Sequence, residues 1–450
     1  MVTGNMLLVI FVASLILLFI LILKFNVEPF ISLIAVSLVA AILIGFPIKE
    51  IPGIITTGFG NTLTGVGILI GLGVIFGSLL GASGAIEKIA AAVLKGFGVK
   101  KSAAGLSLTG VVVSIPVFFD AAFVILSGLV KSLSRRTGIS VITFVTALGL
   151  GLIVSHSMIP PTPGPLVVAE NTGSDLGLFI IYAIICAIPA TLIGGYLYGS
   201  FIGKKIQRFV DEKELVADDV NETVSNRKEI STGLSFGILA LPIVLILLNT
   251  VSALWIEEGT LRTILSFIGD KNVALFISVI VALIVLRPYI HVPYTQLYEE
   301  ALNSAGMIIL VTGAGGAFGA VINQSGIGDY LIDTMIGLSI PVLVLAFLFS
   351  QLLRASLGSS TVALVTTSSI MGPMVMELGT SPILLGLAIC AGAVGLSLPN
   401  DSGFWVVNRF GKLTIPETIK AWSIGGFIAG LSALGMVYIL SLLSGILPGI

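Results

Sequence analysis

Along the 450 residues, long apolar runs alternate with short polar stretches. Residues 7–23, 29–46, 64–80, 176–202 and 234–248 are nearly free of charge and read as membrane-spanning helices. Residues 48–61 are more mixed and predict a surface segment. Residues 86–99 set Glu87, Lys88 and Lys95 among apolar positions and predict an amphipathic helix in the membrane interface. Two runs are interrupted. Residues 102–130 break at Ser114-Ile115-Pro116-Val117-Phe118-Phe119-Asp120, and residues 141–166 break at Ser155-His156-Ser157-Met158-Ile159-Pro160-Pro161-Thr162-Pro163-Gly164-Pro165. Proline lacks a backbone donor and clashes with the preceding turn, so the second run cannot continue as one helix. At membrane depth such backbone survives only where protein or a water-filled cavity satisfies it.

The second half repeats the first at an offset of 242 residues. Phe76-Gly77 and Ser83-Gly84 recur as Phe318-Gly319 and Ser325-Gly326, and the apolar run ending at Phe46 recurs as one ending at Pro288. The first interruption, shifted by the same offset, falls on Gly358-Ser359-Ser360-Thr361. Pro160 and Pro161 fall on Ser402 and Gly403, inside Leu398-Pro399-Asn400-Asp401-Ser402-Gly403. Four matches in register predict an internal repeat. The organisation is then an extra N-terminal span (1–28), a first transmembrane repeat (29–203), a central cytoplasmic loop with a linking span (204–270), and a second repeat (271–450). The single linking span makes the second repeat start on the opposite side, which is an inverted topology.

Composition supports the membrane reading. The chain is 56% hydrophobic and 10% charged, against about 25% charged in soluble domains. The formal net charge of -1 gives no sign of a nucleic-acid partner. Charge position is more informative. With the polar stretch 204–229 in the cytoplasm, Lys24, Lys88, Lys95, Lys100, Lys101, Lys131, Arg135, Arg136, Arg409, Lys412 and Lys420 lie there too, and Lys49, Arg262 and Lys271 lie outside. Both termini then face outward. Basic residues on both flanks of 102–130 predict a re-entrant hairpin with its tip at residues 116–120; two tightly packed full spans satisfy the same charges. The fold class is an all-α polytopic membrane protein with an inverted-topology repeat, each half holding a re-entrant hairpin and a broken helix.

Such interruptions expose half-helix N-termini, which favour an anion such as a carboxylate. His156, Thr162, Ser359, Ser360, Thr361, Asn400 and Ser402 add polar groups suited to a hydroxylated substrate; any single hydroxyl is better read as bonded back to its own helix, and it is their clustering at symmetric interruptions that favours binding. Phe119 and Gly164 sit at the first tip and the first break and complete the candidate substrate-binding set. Asp120 and Asp401 are the sharpest candidates, because a carboxylate within a span costs about 2.5–3.5 kcal/mol on insertion scales unless paired or protonated. Both join the substrate-binding set, and with His156 they are the candidate proton-coupling groups; Asp401 and Asp120 are alternatively helix N-caps. Arg354 pairs either with a substrate carboxylate or with an aspartate. Two histidines and two cysteines (Cys186 and Cys390) inside apolar runs give no metal site and no disulfide framework. No phosphate-binding loop supports ATP-driven transport. No catalytic residue or cofactor is expected, and the coupling ion is a proton, with sodium as the alternative. A transporter is thus the primary reading, ahead of an intramembrane enzyme or a passive channel.

Residues 115–120, His156 with 160–165, Asn400-Asp401-Ser402-Gly403-Phe404-Trp405, and Gly77 to Gly84 with Ile86-Glu87-Lys88-Ile89 resemble the gluconate permease family, in the same order and nearly end to end. That resemblance implies a multi-pass protein of the cytoplasmic (inner) membrane. It implies proton symport of gluconate or a related small hydroxylated monocarboxylate, an elevator motion, and a homodimer within the ion-transporter superfamily. Related permeases carry other hydroxy acids or D-serine, so a sodium-coupled carboxylate or D-serine transporter is the alternative.

Overall fold

The structure is a computed structural model that describes residues 2, 4–25, 27–98, 101–209, 229–326, 341–372, 375, 379–399 and 401–450. Most of the central polar stretch at 204–229 and all of Asn400 therefore lie outside the described residues. The described part is helical, with one isolated bridge between Ser444 and Leu447. Among the described residues, seven helices are long and apolar enough to cross a membrane.

The order begins with α1 (Asn5–Phe19), α2 (Pro29–Ile44), α3 (Ile51–Ala82) and α4 (Ala85–Phe97). Next come α5 (Ser102–Val113), α6 (Phe119–Thr137), α7 (Val141–Met158), α8 (Pro163–Thr172) and α9 (Leu176–Lys205). Then follow α10 (Thr232–Trp255), α11 (Thr260–Ile268), α12 (Lys271–Leu286) and α13 (Tyr294–Gln324). The last are α14 (Val342–Leu357), α15 (Ser360–Met371), α16 (Pro382–Val394), α17 (Ser402–Phe410) and α18 (Ile415–Ser441). Helices α2 and α12 begin and end 242 residues apart, and α3 and α13 end 242 residues apart.

Local chemistry sets several of these boundaries. Ser140, Asp175, Ser231 and Asp270 cap α7, α9, α10 and α12 through their side chains. Proline stands in the first turn of α2, α3, α8 and α16, where its missing donor costs nothing. Every residue of α7 is buried, so this helix is the centre of the core. The amphipathic α4 buries Ala85, Ile86, Ile89 and Ala90, while Lys88 on its polar side pairs with Glu229.

Residues 48–61 are largely exposed, as the sequence predicts, but 51–61 are continuous with the following span, because residues 51–82 are a single 32-residue helix. Its mixed stretch is stabilised by packing that sequence hydropathy does not register. Here α3 crosses α13 so closely that a Cβ at Gly58 would lie 2.7 Å from the Gly316 carbonyl oxygen. Within the stretch the Thr56 hydroxyl donates back to the Pro52 carbonyl at 2.9 Å, and just beyond it Thr64 donates to the Gly60 carbonyl at 2.9 Å.

Candidate functional site

Four helices start at interruptions in apolar runs. Between α5 and α6, the Ser114 hydroxyl donates to the Val117 carbonyl at 2.9 Å, closing the turn that places Phe119 and Asp120 in the first turn of α6. Between α7 and α8, the Thr162 hydroxyl donates to the carbonyls of His156 (3.0 Å) and Ile159 (2.8 Å). Those bonds satisfy backbone that the prolines leave without helical partners. Between α14 and α15, Gly358 takes the left-handed conformation (φ 69°), and the Ser359 side chain caps α15 by accepting from the Val362 amide at 3.4 Å. Between α16 and α17, Asp401 is the N-cap, its Oδ1 accepting from the Gly403 amide at 3.0 Å.

Three of these N-termini, those of α6, α15 and α17, border one cavity of about 240 Å³. Of the residues singled out from sequence, it gathers Phe119, Asp120, His156, Ser359, Ser360, Thr361, Asp401 and Ser402. Thr162 and Gly164 do not reach its wall. Thr162 holds the α7–α8 turn, and Gly164 lets α8 pack on α15, where a Cβ would stand 2.6 Å from the Leu364 Cδ1. Asn171, at the other end of α8, donates to Ser368 (2.9 Å) and Ser369 (3.2 Å) of α15.

The electrostatic centre of the cavity is an ion pair. Arg354 Nη2 donates to Asp401 Oδ2 at 2.6 Å, with residue exposures of 2% and 4%. The same Asp401 oxygen accepts from the Ser397 hydroxyl, and Ser397 accepts from the Trp422 indole at 2.6 Å. The Trp422 ring stacks on Phe119, with centroids 4.9 Å apart. A continuous set of contacts therefore joins the α6 tip to the Arg354–Asp401 pair. Asp120 is exposed at the cavity, where its Oδ2 accepts from the Ser402 hydroxyl at 3.2 Å. Asp401 thus takes the capping role and the ion-pair role together.

Sequence reasoning left Arg354 undecided and passed over Thr312, Phe118 and Gly403, all of which line the cavity. Phe118 and Gly403 fall inside the interruptions at 114–120 and 398–403, but an aromatic ring and a glycine carry no polar group that would single them out as binding residues. Thr312 lies inside the unbroken α13 and carries no local mark. Three lining residues keep buried polar atoms with no protein partner among the described residues: His156 Nδ1, Thr312 Oγ1, and Arg354 Nε and Nη1. No group of three His, Cys, Asp or Glu side chains among the described residues is placed to hold a metal ion. Cys186 and Cys390 are free thiols buried in the core.

The family described as GntP family permease matches residues 6–443. The chain belongs to the GntP permease family. It is similar to an uncharacterized permease of Haemophilus influenzae, with 38% identity covering 90% of this chain and 88% of that one. It is also similar to the low-affinity gluconate transporter of Escherichia coli, with 32% identity covering 93% of this chain and 94% of that one. In structure it resembles the YdaH transporter of Alcanivorax borkumensis, with a TM-score of 0.64, 16% identity, and coverage of 93% and 99%. At that identity the likeness concerns the fold. This GntP permease is a multi-pass inner-membrane transporter, not an enzyme.

Proposed function

We propose that this permease imports gluconate or a related small hydroxylated monocarboxylate together with protons. The observation that carries the reading is the cavity itself, where a buried arginine, two carboxylates and several hydroxyls meet at three helix N-termini. Helix N-termini and a guanidinium favour a carboxylate, and hydroxyl and imidazole groups suit a polyol chain. Relatives named as gluconate transporters support the same substrate class.

Charge bookkeeping supports proton coupling. Arg354 offsets Asp401, which leaves the exposed Asp120 and Glu28 as lining carboxylates without an ion-pair partner among the described residues, and His156 is the remaining titratable wall residue. A substrate carboxylate adds a further negative charge beside Asp120 in a confined site, where like charges repel strongly. Taking up one proton, with Asp120 as its acceptor, relieves that repulsion.

The matched bounds of α2 with α12 and of α3 with α13 support two inverted repeats spanning 29–203 and 271–450. In this reading α5–α6 and α14–α15 are the re-entrant hairpins, α7–α8 and α16–α17 are the broken helices, and these elements carry the site in an elevator motion within a homodimer. The deciding experiment is uptake of labelled gluconate into proteoliposomes under a proton gradient and a sodium gradient imposed separately. Accumulation driven by protons alone is expected. A requirement for sodium transfers coupling to the backbone carbonyls and hydroxyls of the interruptions, and failure under both gradients rejects gluconate as substrate.

A further inference from the structure

The geometry points to Arg354 as the residue that reads the substrate's carboxylate: its guanidinium holds Asp401 through one nitrogen and presents the others to a second, substrate-borne carboxylate. This inference rests on the proposed transport of a hydroxylated monocarboxylate and assigns its anchoring group. The alternative role for Arg354 is as a counter-ion for Asp401 alone. Three observations favour the wider role.

First, both Asp401 oxygens are already engaged by the protein. Its Oδ2 accepts from Arg354 and Ser397, and its Oδ1 accepts from the Gly403 amide. Second, Arg354 is not saturated. It is 2% exposed, it lines the cavity, and Nε and Nη1 lack a protein partner among the described residues. A purely structural buried ion pair is stable only when its remaining donors are satisfied by the protein. Third, the residue type fits. A lysine neutralises one carboxylate as a point charge, whereas the planar guanidinium fork can serve two carboxylates in fixed directions.

The same arrangement sets the substrate class. One cation shared between Asp401 and the substrate accommodates one carboxylate. A second carboxylate on the substrate would stand in a cavity that already contains Asp120. The neutral donors or acceptors left over, His156 Nδ1 and Thr312 Oγ1, match hydroxyls rather than a second acid group. The site therefore selects monocarboxylates and rejects both the dicarboxylate and the neutral amide of the same carbon chain.

Calorimetric binding to the purified, full-length permease tests this with gluconate, gluconamide and glucarate. The wild type is expected to bind gluconate at least about tenfold more tightly than either analogue, the size of a hydrogen bond to a charged group. Arg354→Lys keeps a charge opposite Asp401 but loses the fork. Its gluconate affinity should fall about tenfold while gluconamide changes little. The double variant Arg354→Gln with Asp401→Asn removes both charges together and should bind gluconate and gluconamide alike. A merely structural arginine would move all three ligands, or the melting temperature, without changing the ratio between them. A wild-type-like preference for gluconate in either folded variant overturns the inference while leaving gluconate transport intact. Should the wild type bind no gluconate but take glycerate or lactate over the amide, in an Arg354-dependent way, the gluconate reading falls and this inference holds. A wild type that distinguishes no monocarboxylate from its amide overturns both, and that arm requires no variant to fold.

Discussion

Asp120 and Asp401 are both first-turn or cap carboxylates at interruptions, yet their surroundings separate them. Asp401 is buried and held by Arg354, Ser397 and the Gly403 amide, whereas Asp120 is exposed at the cavity with Ser402 as its hydrogen-bond partner. Removing one member of a buried pair costs about 3–5 kcal/mol, so Asp401 is tied to folding. Asp120 is free to change protonation at small structural cost. Asp120→Asn should therefore fold normally, retain counterflow of labelled substrate, and lose about tenfold or more of its proton-driven accumulation. Accumulation at the wild-type level would exclude Asp120 as the coupling group. Trp422→Phe keeps the ring against Phe119 but removes the donor to Ser397. A loss of about 1 kcal/mol is expected, read as a melting temperature lowered by a few degrees in detergent.

At the scale of elements, close backbone approaches decide where the interruptions sit. A Cβ at Gly77 of α3 would stand 2.4 Å from the Pro116 carbonyl oxygen at the α5–α6 tip, so Gly77→Ala forces the helix and the tip apart. A cost of about 1–3 kcal/mol is expected, together with reduced uptake, because the same tip carries Phe119 and Asp120. Gly71, in the same helix, has nothing within 4 Å of its ideal Cβ. There Ala should be neutral or stabilise by up to about 1 kcal/mol. Paired melting curves of the two variants give the comparison, and equal effects would show that helix propensity alone is at work. The same close packing explains why residues 51–82 run as one helix. Hydropathy reads the Gly- and Thr-rich beginning of α3 as surface, because the contacts that bury Gly58 come from α13, far along the chain.

For the whole molecule, the basic-residue bias predicts an orientation that can be tested. Lys49 is assigned outside and Lys95 inside, and both are exposed. The native thiols, Cys186 and Cys390, are fully buried and so form a quiet background for labelling. An impermeant maleimide applied to intact cells should label Lys49→Cys and spare Lys95→Cys, with the pattern reversed in inside-out vesicles. Labelling of both from one side would break the assigned sidedness of the first repeat, in which α3 separates the two positions. Two ion pairs join helix ends from the two halves of the chain. Glu170 at the end of α8 pairs with Lys271 at the start of α12, and Arg208 beyond α9 donates to Glu417 at the start of α18 at 2.8 Å.

The sequence by itself determined the membrane character, the helix interruptions and eight of the residues that line the cavity. These features are local: a proline, a glycine or a carboxylate inside an apolar run contradicts its neighbours, and that contradiction is visible without a fold. It also carried the 242-residue recurrence, because repeated elements leave repeated spacings. Tertiary structure alone decided how those residues are used. Arg354 and Asp401 are 47 positions apart, and no spacing rule links a helix end to a cap in the next broken helix. Thr312 belongs to an uninterrupted helix and meets the cavity only because α13 packs beside α15. Thr162 and Gly164 carried the same sequence signal as the cavity residues, yet the fold turns one to its own backbone and the other to a helix contact. A hydroxyl or a glycine at an interruption is chemically suited to several partners, and the packing around it selects one.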